Sequence, residues 1–352
     1  MLKFLFKRLF YGILVLFGVI LIVFFSFHVL PGDPAMMIAG KHTDERTMNA
    51  IRKDLGLDLP VHQQLGYYLN DLSPLSVHKN TPENQEKYEY SQLFSIGTTA
   101  FVIKKPYLRR SFQTRKRVDE TILDKLEGTF WLSITAITFA TIFGIIFGMI
   151  AALNYNKFWD HALITTSILG ISAPSFVSAI LISMIFGFYL SEYTGLNMTG
   201  YMWEPDVYNG GRRLDLKNLI LPAFTLGMRP LAIITQLTRS SMVEVMKQDY
   251  IRTGRAKGLG NMKLVLKHAL KNALNPVVTA VSGWLASLMA GAFFVEYIFS
   301  WQGLGTRTIK AVEHLDLPVI MGVTLVVAMA FIVINIFVDL LYAVLDPRVR
   351  LE

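Results

Sequence analysis

The chain has 352 residues, of which 53% are hydrophobic and 17% are charged, and its formal net charge is +8. Soluble domains average about 25% charged residues, so the composition favours a membrane protein, and basic residues scattered between apolar runs argue against a nucleic-acid-binding face. The chain contains no cysteine, which excludes disulfides and thiolate metal sites.

Long apolar runs predict an all-α integral membrane protein. A bilayer core about 30 Å thick needs roughly 20 helical residues to cross it, and five runs reach that length without a charge. A sixth run of similar length carries Arg229 near its middle. The six predicted spanning helices are an N-terminal helix within 1–30 and helices at about 129–153, 162–191, 218–238, 276–295 and 317–340.

The first apolar run resembles a signal peptide only in its basic start. Its length of about 22 residues exceeds the roughly 7–15 apolar residues of a signal sequence, and no small-residue cleavage site follows it. We therefore expect helix 1 to remain as a membrane anchor.

The distribution of lysine and arginine predicts the orientation. Segments 1–8, 154–161, 239–272 and 346–352 together hold 14 basic residues, whereas 192–217 and 296–316 hold 5. Short cytoplasmic loops are enriched in basic residues, so both termini are predicted in the cytoplasm. The core then covers 129–345, and 346–352 is a cytoplasmic tail.

The segment 31–128 is predicted to form an extracytoplasmic subdomain. Its first part indicates short amphipathic helices interrupted by Gly56 and Pro60. Its middle, "SPLSVHKNTPENQEKYEYSQ" (73–92), is polar and predicts an irregular surface loop.

The cytoplasmic segment 239–272 contains the most distinctive pattern. Lys263, Lys267 and Lys271 recur every four residues and share one helical face, and the opposite face is predicted to be apolar: Met262, Val265, Leu266, Ala269, Leu270 and Ala273. Gly258 permits a turn between this helix and a shorter preceding one. The pattern alone leaves two interpretations open, a helix resting on anionic lipid or an element that docks on a partner.

The amino-acid sequence of this segment favours docking on a partner. "DYIRTGRAKGLGNMKLVLKHALKNALNPVV" closely resembles the cytoplasmic coupling loop, or EAA motif, of ABC importer permeases of the dipeptide/oligopeptide/nickel family, in its first-permease, "B"-type form. "FSFHVLPGDPA", "RKDLGLDLPVHQQLGYYL", "VEYIFSWQGLG" and "VDLLYAVLDPRVR" resemble further blocks of that family, in the same order. The resemblance therefore extends nearly from end to end.

The resemblance implies a type I ABC importer permease fold in a bacterial cytoplasmic (inner) membrane. It also implies four kinds of partner: a second homologous permease, two ABC ATPase subunits, an extracytoplasmic solute-binding protein and membrane lipid. The coupling loop (239–272) would contact the ATPase through these residues: Asp249, Tyr250, Arg252, Thr253, Gly254, Arg255, Ala256, Lys257, Gly258 and Leu259. Two departures from the family are Gly254, where alanine is common, and an outer segment lengthened at about 71–107.

Ionisable residues in or beside the predicted spans are candidates for the translocation path. Arg229 and Glu296 are the two candidates, and Asp339 ends the sixth span at the inner face. Arg229 has an alternative, structural interpretation, in which it caps backbone carbonyls freed by Pro230. Proline kinks are expected at three positions: Pro174, Pro222 and Pro230.

The chain shows no motif for chemistry of its own. It has no G-x-x-x-x-G-K-[ST] phosphate loop, no HExxH pair and no G-x-S-x-G elbow, so no catalytic, cofactor-binding or metal-binding residue is predicted, and ATP and Mg would be bound by partner subunits. Peptides are the favoured cargo, with nickel or another small solute as the alternative. Two other classes are an ion-coupled secondary transporter, which would need a buried acidic residue or histidine, and a membrane-bound enzyme using His42, His62 and His78, whose spacing matches no ligand set.

Overall fold

The computed structural model describes residues 2–29, 45–54, 56–205 and 210–345, and over these ranges the chain is mostly helical. The helices are α1 (Leu2–Val29), α2 (Glu45–Asp54), α3 (Val61–Leu72), α4 (Pro82–Tyr88), α5 (Val118–Leu153), α6 (Phe158–Ser172), α7 (Ser175–Met184), α8 (Ser191–Thr194), α9 (Lys217–Val245), α10 (Asp249–Ala256), α11 (Asn261–Lys263), α12 (Leu270–Ala273), α13 (Asn275–Gly291), α14 (Phe293–Ile298), α15 (Leu304–Glu313) and α16 (Leu317–Leu345). The strands are β1 (Leu75–Lys79), β2 (Ser91–Ile96), β3 (Thr99–Ile103), β4 (Trp203–Pro205) and β5 (Arg212–Leu214). The predicted tail at 346–352 and the start of the outer segment at 31–44 lie outside the described residues.

Four described helices are long and apolar enough to cross a membrane: Phe4–Ser26 within α1, α5, α9 and Leu317–Leu340 within α16. A fifth candidate is the bent pair formed by α6 and α7, which continues in a π-helical turn, Ile185–Tyr189. The fifth predicted span, 276–295, is divided between α13, with 17 residues, and α14. A mostly helical fold with several helices long and apolar enough to span a membrane is therefore confirmed, whereas the count of six spans stays a prediction.

The segment predicted as one helix over 162–191 is broken. α6 and α7 differ in direction by 107°, and Ala173 between them has an extended backbone (φ −85°, ψ 140°). The break follows from Pro174, which lacks an N–H and disfavours helical backbone in the residue before it. Pro222 and Pro230 instead lie inside the continuous helix α9.

The chain divides into two compact units, and the first comprises 1–10, 125–307 and 327–352. In this unit α9 packs against α6, α7 and α13. Close approach of α9 to α5 requires glycine, because a Cβ at Gly148 would lie 2.6 Å from the carbonyl oxygen of Thr235. The core buries residues from several of these helices, among them Leu132, Leu226, Ile234, Leu288, Val295 and Trp301.

The second unit comprises 11–124 and 308–326 and contains a small antiparallel sheet. Its strand order is β1-β3-β2, with α4 between β1 and β2 in the chain. The predicted irregular loop at 73–92 was therefore wrong, and the all-α class is corrected to a mostly helical fold with two small sheets. In β1, Ser76 and His78 are buried while Leu75 and Val77 are exposed, which is the alternation of a half-buried strand.

Buried polar groups hold the second unit together. The Asp71 carboxylate accepts hydrogen bonds from the Tyr88 hydroxyl at 3.0 Å and from Arg109 Nε at 3.2 Å. The Asp316 carboxylate accepts from Ser111 Oγ at 2.5 Å and from the Phe112 N–H at 2.9 Å. Each carboxylate is thus satisfied by two donors, as buried polar groups require.

Candidate functional site

The coupling loop begins with α10 and turns at Gly258. The chain leaves α9, passes through an extended Gln248 (φ −70°, ψ 149°) and starts α10 at Asp249. Gly258 then adopts a φ of +77°, a left-handed conformation that costs L-residues about 1–2 kcal/mol. The Leu259 N–H donates to the Gly254 carbonyl at 3.2 Å and closes the turn.

The inward side of this loop is an apolar core of its own. Ile251 of α10 is buried against Met242 of α9 and against residues of the segment after the turn. Those residues are Leu264, Val265, Ala269 and Ala273, which are buried as well. Leu259 and Met149 pack at its edge. The loop is therefore attached to the ends of α5 and α9 by side-chain packing.

The apolar face predicted for the second helix is partly wrong. Met262 is 66% exposed and Leu266 is 47% exposed, whereas Leu264 is buried. The cause is a π-helical turn from Leu264 to Ala269, whose i→i+5 bonding changes the positions that share a face. Met262 and Leu266 are consequently available on the outer surface of the loop.

The outward side of the loop is basic. Three cations near the turn, Arg252, Arg255 and Lys257, are all exposed, and so are Lys263, Lys267 and Lys271 after it. Tyr250 is also exposed, and its hydroxyl accepts a hydrogen bond from the Asn272 side chain at 2.8 Å. The structure thus places the predicted coupling residues on α10 and the turn after it, and the loop exposes six cations as well as Met262 and Leu266.

An ion pair that the sequence did not indicate lies at the base of this loop. Arg239, near the end of α9, donates to both carboxylate oxygens of Asp160 in α6, at 2.5 Å and 2.7 Å. Asp160 also accepts from the Asn156 N–H at 2.8 Å, and the Arg239 guanidinium lies 5.0 Å from the Tyr155 ring centre. Asp160 resembles an ordinary acidic residue at a helix start, and Arg239 counts toward membrane orientation, so neither suggested a partner.

Arg229 lies near the middle of α9, and its side chain is exposed on the surface of the single chain. Its Nη2 donates to the Ala173 carbonyl at 3.5 Å, the outer limit for such a bond. Arg229 therefore does bond to a backbone carbonyl, as the structural interpretation predicted. The acceptor is Ala173, at the α6–α7 break, and not one of the carbonyls freed by Pro230. Among the described residues, no carboxylate lies within ion-pair distance of Arg229.

Arg229 lines a cavity of about 100 Å³ beside the helix break. The walls come from α6, α7, α9 and α13, together with Ala173 in the helix break and Val295 in α14. The helix residues are Gly170, Ser175, Ser178, Thr225, Leu226, Trp284, Ser287 and Leu288. The cavity therefore lies within the first unit and combines one cation with several small polar groups.

Glu296 occupies a different environment. Its side chain is 0% exposed, and its carboxylate accepts from Thr129 Oγ1 at 2.6 Å, the Gly305 N–H at 2.7 Å and the Thr306 N–H at 3.1 Å. These contacts join α14 to the start of α15 and to Thr129 within α5. Asp339 pairs with Arg8, whose Nε lies 3.1 Å from its Oδ2.

The described residues contain no group of three or more His, Cys, Asp or Glu side chains arranged to hold a metal ion. The described histidines that suggested an enzyme, His62 and His78, therefore form no such group. His78 instead stacks on Tyr88, with ring centres 4.0 Å apart. His42 lies outside the described residues.

Comparison with known proteins identifies the class. A family model described as "Binding-protein-dependent transport system inner membrane component" matches residues 144–351, and its N-terminal companion model matches residues 1–135. The chain belongs to this family: it is a multi-pass permease subunit of an ABC importer of a bacterial inner membrane. Membership implies an ATPase and a binding protein as partners.

Named relatives are similar along their whole length. The glutathione transport system permease protein GsiC of Escherichia coli O6:H1 is 35% identical over 99% of both chains. The dipeptide transport system permease protein DppB of Alkalihalophilus pseudofirmus is 35% identical over 99% of this chain and all of its own. A solved inward-facing MetNI methionine ABC transporter aligns with 65% of this chain and 97% of its own, at 14% identity and a TM-score of 0.48.

Proposed function

We propose that this chain is one of two homologous permease subunits of an importer for short peptides. Two ATPase subunits would bind on the cytoplasmic side and a solute-binding protein on the outside. Both termini would be cytoplasmic, with six spans and the outer subdomain exposed to the binding protein. The cargo is inferred from the similarity to permeases named for dipeptide and for glutathione, which is itself a tripeptide.

The observation that carries the proposal is the two-sided coupling loop. Exposed cations on the same loop as exposed Met262 and Leu266 suit an acidic cleft with an apolar floor, because opposite charges steer docking and buried apolar area supplies affinity. A helix lying on lipid would instead insert its exposed apolar residues between headgroups. The left-handed turn at Gly258 supports docking, because a simple surface helix needs no such turn.

Movement of the ATPases would reach the membrane helices through two attachments. The apolar core around Ile251 and Met242 joins the loop to α9. The Asp160–Arg239 pair joins the inner end of α9 to the start of α6. Closure of the ATPase pair would therefore move α9 and α6 together, and α6 ends at the break before α7.

Arg229 would face the translocation path. A guanidinium directed at lipid near mid-bilayer costs roughly 3 kcal/mol or more, and Arg229 is exposed in the chain described. Its face of α9 is thus expected to meet water or the second permease. Glu296, enclosed by three hydrogen bonds, is better suited to a structural role than to the path, and we propose no transport role for it.

Transport by a reconstituted complex tests the proposal. The permease is co-expressed with the second permease, the ATPase and the binding protein encoded with it, and the complex is placed in liposomes. Labelled dipeptide, glutathione and nickel are then supplied outside with ATP inside. We expect peptide uptake that stops when the ATPase phosphate-loop lysine is replaced.

Two results would contradict the proposal. Uptake driven by an ion gradient, without ATP or ATPase, would assign a secondary transporter. ATP-driven uptake of nickel but of neither peptide would retain the importer and remove the peptide cargo.

A further inference from the structure

We propose that the cavity beside the α6–α7 break binds the terminal carboxylate of the transported peptide. The inference rests on the proposed function for the identity of the cargo. It adds a binding site inside the permease, with Arg229, Ser178 and the first turn of α7 as its donors.

The first observation is the uncapped start of α7. Pro174 precedes this ten-residue helix and provides no side-chain cap, and the first hydrogen bond inside the helix is from the Ser178 N–H to the Pro174 carbonyl. The N–H groups of Ser175, Phe176 and Val177 consequently have no acceptor among the described residues. Such a helix start carries partial positive charge and binds anions.

The second observation is the side chain of Ser178. It is only 9% exposed and lines the cavity. Its hydroxyl makes no hydrogen bond among the described residues, and its oxygen is not one of the fully enclosed unpaired atoms, so it remains accessible to a ligand atom or water. Buried hydroxyls are normally paired. A hydroxyl left open toward a cavity indicates that a ligand atom or water completes it.

The third observation is Arg229. One guanidinium N–H makes the long bond to Ala173, and the described residues supply no other partner for the remaining N–H groups. A guanidinium presents parallel donors that match the two oxygens of a carboxylate. Ser175 and the indole of Trp284 add further donors to the cavity wall, and no acidic side chain lines it.

The dimensions favour one end of a peptide over the whole molecule. The volume of about 100 Å³ is several times the roughly 10–15 Å³ that one water needs in a cavity. A carboxylate and its adjoining carbon atoms fit that space, with Leu226, Leu288 and Val295 as apolar walls. Broken membrane helices whose starts face anionic groups are a recurrent solution in transporters.

Binding without the solute-binding protein tests this site. The complete permease–ATPase complex is placed in phosphatidylcholine nanodiscs, which contain no anionic lipid, and affinity is measured for trialanine and for trialanine amide. We expect the free acid to bind at least about tenfold more tightly than the amide, since hydrogen bonds to charged groups are the stronger ones.

Substitutions of Arg229 and Ser178 test whether these side chains supply the affinity for the free acid. Arg229→Gln should weaken binding of the acid by about tenfold or more and leave the amide unchanged, and Ser178→Ala should weaken the acid by about threefold or more. Ser172→Ala is the matched control, because that hydroxyl is exposed and donates to the Ile168 carbonyl outside the cavity. Arg229→Lys, which keeps the charge but not the paired donors, should fall between wild type and Arg229→Gln.

The outcomes are separable from those for the proposed function. Equal binding of acid and amide by the wild type would overturn the site, and so would unchanged acid affinity in both Ser178→Ala and Arg229→Lys. Ser178→Ala and Arg229→Lys leave the apolar core side chains in place. The test therefore remains valid even if Arg229→Gln does not fold. Failure of the wild-type complex to take up peptide would remove the proposed cargo, whereas uptake with no acid preference would remove only this site.

Discussion

Asp160 and Arg239 are 79 positions apart and form an ion pair held by two hydrogen bonds, in which the Asp160 side chain is only 1% exposed. The pair connects the start of α6 to the inner end of α9, just before the coupling loop. A buried carboxylate of this kind stabilises only while its partner remains, because the uncompensated charge is costly.

The first prediction concerns that pair. Asp160→Asn should lower the free energy of unfolding by roughly 3 kcal/mol, since it leaves a half-buried guanidinium with one neutral acceptor. It should also reduce peptide uptake per ATP hydrolysed, because α6 loses its attachment to α9. Thermal unfolding of the purified complex and the ratio of uptake to hydrolysis are the two measurements.

A surface pair supplies the control. Asp249 and Arg252 approach to 3.6 Å but are 96% and 75% exposed, so Asp249→Asn should change stability by less than about 0.5 kcal/mol. If Asp160→Asn were as stable as Asp249→Asn, Asp160 and Arg239 would not be energetically coupled.

The second prediction concerns Gly258. Gly258→Val should reduce ATP-driven uptake by about tenfold or more while leaving membrane insertion intact, because a β-branched residue strongly disfavours a φ of +77°. The surrounding space is open, so the cost is one of backbone conformation. Uptake assays at matched membrane levels check it.

Gly260 is the matched control for Gly258. It also has open space around it, but its φ is −62°, which alanine adopts readily. Gly260→Ala should therefore transport normally. Wild-type uptake by Gly258→Val would show that the turn plays no part in coupling.

The sequence predicted the elements whose signal is local. Apolar runs located the long spans, and the glycines located the turn at Gly258. The π-helical turn at Leu264–Ala269 escaped, because the same residues also suit an α-helix, and packing of Leu264 and Val265 decides between them. The sheet in the outer segment escaped because β1 is only five residues long and its buried positions hold Ser76 and His78.

The candidate site divides in the same way. The cations of the coupling loop are adjacent in sequence and could be grouped without a structure. Arg229 belongs to α9, Ser178 to α7 and Ala173 to the break between α6 and α7, and they meet only because Pro174 breaks the chain there. Proline indicated a kink there, but the direction of the break depends on packing against α9.

The third prediction concerns pH and the outer unit. Burial lowers the pKa of His78 below its usual 6.5, and the positive charges of Lys104 and Lys87 add to this, while Asp71 opposes it. Between pH 6.5 and the lowered value, the unfolded chain binds more protons than the folded unit. Stability is therefore full above about pH 6.5 and falls as the pH drops through that window.

Amide hydrogen exchange of β1, β2 and β3 in the purified complex measures this effect at pH 5 to 7, after correction for the intrinsic exchange rate. Protection should fall toward pH 5 in the wild type. His78→Phe keeps an aromatic ring against Tyr88 and should remove the pH dependence, whereas His62→Gln, at an exposed position, should retain it. A pH dependence that persists in His78→Phe would mean that another group is responsible.

The fourth prediction concerns Glu296, whose buried carboxylate serves three donors. Glu296→Ala should lower the free energy of unfolding by about 3 kcal/mol or more, because it leaves the Gly305 and Thr306 N–H groups and the Thr129 hydroxyl without their acceptor. Glu296→Gln preserves the volume and one acceptor oxygen, so it should cost less than Glu296→Ala. Thermal unfolding of the complex ranks the variants.

Thr129 connects the hydrogen bonds of Glu296 to Leu304. Its hydroxyl donates to the Glu296 carboxylate and accepts from the Leu304 N–H at 2.8 Å. Thr129→Val should therefore be destabilising alone, by about 1–3 kcal/mol. It should cost less in a Glu296→Ala background, because both changes remove the Thr129–Glu296 bond and only the bond from the Leu304 N–H is lost in addition. Fully additive effects in the double variant would show that the two side chains act independently.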